Sequence, residues 1–124
     1  MKKVLILAIV AVLSLGLLAA CGGGGGGATH KLEVVAGENG EMKYTPDTLS
    51  VKKGETVEVT LVNKDSAQAH SFILAKYNVK TKQVQPGQKE TVKFVAKDAG
   101  DLTFECDVPG HKDGGMVGKI TVTQ

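Results

Sequence analysis

Cys106, His111 and Met116 recur at five-residue intervals within one stretch that also holds Pro109, Gly110, Gly114 and Gly115. A thiolate, an imidazole and a thioether in so short a span form a soft donor set for a metal ion. The glycines let the segment turn back on itself, so that all three side chains can face one centre. A fourth donor lies upstream. His70 opens a segment whose inward positions are His70, Phe72 and Leu74, and an imidazole on an apolar face is costly unless its nitrogens find partners. Two His and one Cys near a trigonal plane, with Met as a long axial ligand, make a blue copper arrangement. Thiolate and thioether favour the cuprous ion and imidazoles suit both oxidation states, so such a site suits one-electron transfer.

Each residue also has a plainer role open to it. Cys106 would serve as a small buried hydrophobe, His70 as a satisfied core histidine, His111 as a loop residue and Met116 as core filler. Zinc shares the nitrogen and thiolate donors but takes thioether poorly. A Cys106 nucleophile with His111 as its base is a further reading. The chain shows neither an orienting partner for that pair nor a substrate-pocket signature, so it is not read as an enzyme. Each plain role stands well when taken singly, but four donors falling in register favour copper over the plain roles taken together.

The other cysteine explains why Cys106 has no disulfide partner. Lys2 and Lys3 precede an apolar run from Val4 to Leu18, broken only by Ser14 and Gly16. That run is short of the roughly 20 residues a membrane-spanning helix needs and reads as a secretory signal. Leu18-Ala19-Ala20 before Cys21 resembles the bacterial lipoprotein signal. By that resemblance Cys21 becomes the lipidated first residue of the mature chain. The expected organisation is a signal peptide over 1–20, a lipidated cysteine and glycine-rich linker over 21–30, and one domain over 31–124. The expected location is extracytoplasmic, lipid-anchored to a bacterial membrane on its periplasmic or cell-surface face. Disulfides persist in such compartments, but Cys21 would be occupied by lipid and Cys106 left free.

Something must hold the four donors in place, and the rest of the chain reads as strands. Val57, Val59 and Leu61 alternate with polar residues, as do Val92 and Phe94, Leu102, Phe104 and Cys106, and Ile120 and Val122. Period-two alternation marks half-buried strands. The pattern predicts strands near 31–36, 42–44, 48–53, 56–62, 70–75, 90–95, 101–106 and 117–123. Turn signals at Lys53-Gly54-Glu55, Pro86-Gly87 and Asp98-Ala99-Gly100 separate some of them. No segment beyond the leader sustains a helical period. An all-β antiparallel sandwich follows.

The segments Tyr44-Thr45-Pro46 to Gly54, Asn63 with His70, and Phe104-Glu105-Cys106 to Met116 resemble the cupredoxins, the plastocyanin and azurin superfamily, over nearly all of residues 31–124. The ligand loop is similar in length to those of auracyanin and rusticyanin. The resemblance implies a Greek-key β-sandwich of about eight strands with one type 1 copper at one end, held by His70, Cys106, His111 and Met116. It also implies an electron carrier, with extracytoplasmic copper delivery or sequestration as the alternative. One position departs from the pattern: many cupredoxins have Asn directly after the first His, whereas Ser71 stands here, and a hydroxyl reaches fewer partners than an amide.

Charge limits the partners. The formal charge of +2 comes from Lys2 and Lys3, because residues 21–124 carry 13 Lys, no Arg and 13 acidic residues. A nucleic-acid role has nothing to rest on. Residues 76–97 hold six Lys against Glu90 alone, and residues 98–113 hold five acids against Lys112 alone. The expectation is an acidic rim at Glu105, Asp107 and Asp113 that steers a basic redox partner, such as a c-type cytochrome or a membrane respiratory or photosynthetic complex. The carrier is expected to be a monomer with His111 as its electron port, framed by small neighbours. His30 is read as a solvated residue and Met42 as a core or edge side chain.

Overall fold

The computed structural model describes residues 29–124. Cys21, the expected signal segment and most of the linker lie outside the described residues. Nine strands follow in chain order: β1 (Thr29–Ala36), β2 (Tyr44–Thr45), β3 (Thr48–Lys52), β4 (Thr56–Asn63), β5 (Ile73–Leu74), β6 (Val79–Lys80), β7 (Lys89–Val95), β8 (Gly100–Glu105) and β9 (Val117–Thr123). They form two sheets, of order β2-β1-β4-β7 and β3-β9-β8-β5-β6. Single 3-10 turns at Glu38–Gly40 and Ala75–Tyr77 are the helical elements described.

The two-sheet sandwich is the expected one, and two of its pairings run parallel: β1 with β4 and β3 with β9. Neither pair is consecutive in the chain. A long connection through intervening strands permits the parallel sense that a tight hairpin forbids. Most boundaries fall within two residues of the periodicity reading. The segment expected as a strand over 70–75 differs more: only Ile73–Leu74 joins the sheet, and His70 forms an isolated bridge with Val84. The reason is local. The Ser71 amide donates to Cys106 Sγ and the Phe72 amide to Thr81 Oγ1, so two backbone donors are spent on side chains instead of a ladder.

Between the sheets, alternating residues of β4, β8 and β9 are buried together with His70, Phe72 and Leu74. An aromatic cluster closes the core beneath the ligand loop. Phe104 stacks on Phe72 with ring centroids 4.7 Å apart, and Tyr44 tilts against it at 5.0 Å. The Tyr44 hydroxyl donates to the Ser71 carbonyl at 2.5 Å, joining β2 to the segment that carries His70. Full burial of such a ring contributes roughly 1.5–3 kcal/mol.

Gly118 faces that cluster. A Cβ at this position would meet the Phe104 ring closer than van der Waals contact allows. Gly118→Ala is therefore expected to cost about 1–3 kcal/mol by overpacking, read as a lower urea midpoint at unchanged slope. A wild-type midpoint would show that the ring yields freely and does not brace the loop.

Candidate metal centre

Three predicted donors meet at one end of the sandwich. Donor atoms of His70, Cys106 and His111 all lie within 4.8 Å of one another, and all three residues are buried. His70 Nδ1 and His111 Nδ1 stand 3.2 Å apart, with Cys106 Sγ 3.6 Å from the latter. Cys106 follows β8 directly, His70 sits on the bridge to Val84, and His111 comes from the loop between β8 and β9. Cys106 is a free thiol.

The outward nitrogens show which atoms are available. His70 Nε2 donates to Asp65 Oδ2 at 2.9 Å, and His111 Nε2 donates to Gln68 Oε1 at 2.8 Å. A carboxylate and an amide oxygen only accept, so each Nε2 carries a proton and both Nδ1 atoms face inward. At these separations the inward nitrogens and the sulfur need a proton or a metal cation among them. Each separation is shorter than two metal–donor bonds of about 2.0–2.3 Å. The residues fit a single metal ion, and the donor chemistry fits copper.

The protonation states follow from the surroundings. Burial pushes the His111 imidazole below its ordinary pKa, and nearby His70 adds to this. Asp65 is held at about 2 by hydrogen bonds from the Ala67 amide, from His70 and from the Gln68 amide. His70 therefore faces an ionised carboxylate near neutral pH.

The loop after Cys106 is closed by backbone bonds. His111 N donates to Val108 O at 3.0 Å, Met116 N to His111 O at 3.0 Å, and Cys106 N to Met116 O at 3.2 Å. Gly115 makes this closure possible, because its φ of +108 is one that side-chain-bearing residues rarely adopt. Met116 is fully buried and stands directly across the loop mouth from Cys106. Ser71 makes the inter-loop tie despite its short side chain. Its hydroxyl donates to Asp107 Oδ1 at 2.6 Å and accepts from the Asp107 amide at 2.9 Å. Its own amide points at Cys106 Sγ at 3.4 Å. Asp107 supplies the reach that a serine lacks.

Other expectations change. His111 is only 4% exposed, and its outer edge is covered by Gln68, so the ring itself is not an open port. The acidic segment divides: Asp98 and Asp101 lie at the start of β8, far from the donors. At the donor end Glu105 pairs with Lys112 at 2.8 Å and Asp107 is tied to Ser71. Met42 is partly buried and packs beside Gly114. His30 lies on β1, partly exposed as expected, with Nδ1 3.1 Å from Glu55 Oε2. Asp65 and Gln68 escaped the sequence reading, since loop residues between Asn63 and His70 carry no periodic signal.

A protein-family model described as a cupredoxin-like domain matches residues 5–122. Rusticyanin of Acidithiobacillus ferrooxidans is 33% identical over 93 residues, covering 60% of this chain and 59% of that protein. A copper-resistant cuproprotein, CopI, of Rubrivivax gelatinosus is 28% identical over 100 residues, covering 65% of this chain and 60% of that one. The chain thus spans about three fifths of the length of these two relatives. Dithionite-reduced auracyanin from the photosynthetic bacterium Roseiflexus castenholzii superposes with a TM-score of 0.69 at 28% identity, covering 79% of this chain and all of that one. With a buried thiol and two inward-facing imidazole nitrogens converging inside a sandwich that matches along nearly its whole length, the chain belongs to the cupredoxin-like family of blue copper proteins and has a site for one type 1 copper.

Proposed function

We propose that the chain is an electron carrier that uses one copper ion held by His70, Cys106, His111 and Met116, and that it is not an enzyme. The observation that carries this reading is the meeting of the Cys106 thiol with two inward-facing Nδ1 atoms at a buried site. Copper bound there supplies a one-electron Cu(II)/Cu(I) couple. The chain's own residues keep the donors in one geometry and exclude water. They also direct the Ser71 amide at the sulfur, which stabilises thiolate charge. That the auracyanin neighbour was obtained in a dithionite-reduced form supports redox use of this fold.

A tether at Cys21 suits the topology. Thr29 pairs with Thr56 and Ala36 with Asn63, so β1 enters at the end opposite the donors and runs about 23 Å toward them. Lipid on Cys21 would hold that far end near the bilayer and leave the copper end free for a c-type cytochrome or a membrane redox complex. The likeness to a copper-resistant cuproprotein supports a second reading, extracytoplasmic copper sequestration.

Purified protein mixed with Cu(II) is expected to turn intensely blue, to bleach with dithionite and to regain its colour on reoxidation with copper retained. Loss of copper on reduction would favour sequestration instead. Cys106→Ser is expected to abolish the colour. Met116→Gln is expected to keep the colour and shift the reduction potential, and an unmoved potential would remove Met116 from the ligand set. Electron transfer with a basic cytochrome is expected to slow as ionic strength rises, but only shallowly, because Glu105 is already paired with Lys112. Rates that stay constant or rise would dismiss an acidic docking rim.

A further inference from the structure

One short loop holds both imidazoles from outside, with unequal charge. The chain from Asn63 to His70 is braced at its base by Asn63, which is fully buried. Its Nδ2 donates to the carbonyls of Gln68 and Val84, each at 2.8 Å, and its Oδ1 accepts from the Asp65 amide at 2.8 Å. Asp65 Oδ1 in turn accepts from the amides of Ala67 at 2.8 Å and Gln68 at 3.0 Å. Its other oxygen therefore has one direction left, toward His70 Nε2. Gly37 seals the back of this pair. A Cβ there would lie 2.6 Å from Asp65 Cβ and 2.7 Å from His70 Nε2, and its φ of +70 already favours glycine. The same loop sends Gln68 Oε1 to His111 Nε2. The two outer ring nitrogens are thus taken by one loop, a buried carboxylate on one ring and an exposed neutral amide on the other.

We propose that Asp65 and Gln68 are positioning residues that set the reduction potential of the copper centre, Asp65 lowering it through His70 while Gln68 holds His111 without adding charge. This rests on the copper reading above. A full negative charge on the far nitrogen raises the ring's basicity and favours the more highly charged cupric state. Burial of the Asp65 pair keeps solvent from screening that preference. During the couple one electron enters or leaves the copper, and both Nε2 protons stay on their rings.

The test uses the full protein in three forms. Asp65→Asn is expected to raise the midpoint potential by at least a tenfold change in the ratio of Cu(II) to Cu(I) affinity, about 59 mV for one electron. Gln68→Glu, at an exposed position that folding tolerates, is expected to lower the potential by placing a second carboxylate on an imidazole. Both variants are expected to keep the blue colour. If Asp65→Asn fails to fold or to take up copper, Gln68→Glu decides alone, and a wild-type potential in that variant would overturn the proposal. A measurement without copper separates this idea from the copper reading. Nitrogen-15 NMR of the metal-free wild type is expected to show both rings carrying a proton at Nε2. An unprotonated Nε2 on His70 would overturn the proposal whatever the copper experiments show.

Discussion

Two imidazole nitrogens facing each other at 3.2 Å are what the rest of the centre is arranged to sustain. A buried sulfur stands 3.6 Å from one of them. Neither ring can turn away, because each far nitrogen is committed to an oxygen acceptor and the pocket is closely packed. Hydrogen bonds of roughly 1 kcal/mol or more each hold the rings in this arrangement. Small movement between oxidation states follows from donors that were fixed before the metal arrived.

The sandwich and the loops divide this work. Strands β4, β8 and β9 bury aliphatic side chains and need only alternate correctly. The two segments at the donor end give up regular pairing: Ser71 and Phe72 spend their amides on Cys106 and Thr81, and the loop after Cys106 closes on its own carbonyls. Tyr44 and Phe104 link the two regimes, one by its hydroxyl to the Ser71 carbonyl and the other by packing under the loop. A change in the core reaches the copper site through these two side chains.

Much of this was legible in the sequence because it depends on local spacing. The Cys106, His111 and Met116 interval marks the loop, and period-two alternation marks β4, β7, β8 and β9. Parallel pairing of β1 with β4 leaves no local trace, since it is decided by partners far apart in the chain. The 70–75 segment was over-read because alternation reports which side chains face inward and is silent on where the amides go. A count of acids along residues 98–113 cannot see that Asp101 stands at the far end of β8 or that Lys112 folds back onto Glu105. Asp65 and Gln68 were missed for a similar reason: their partners are ring nitrogens, and nothing in a loop sequence announces which side chain will meet them.

The unequal treatment of the two rings has a physical rationale. A carboxylate gains influence over a metal when it is dry and close, but a dry carboxylate is expensive unless its other lone pairs are satisfied. Asp65 meets that condition, with two amides on one oxygen and His70 on the other. Its desolvation is settled once, when the chain folds. A carboxylate at position 68 would carry its charge at the surface, where any macromolecule covering this end would have to strip its water at each encounter. An amide at Gln68 keeps the His111 ring in place without that recurring cost. Charge is placed where folding has already accounted for it, and neutrality where contact is made and broken.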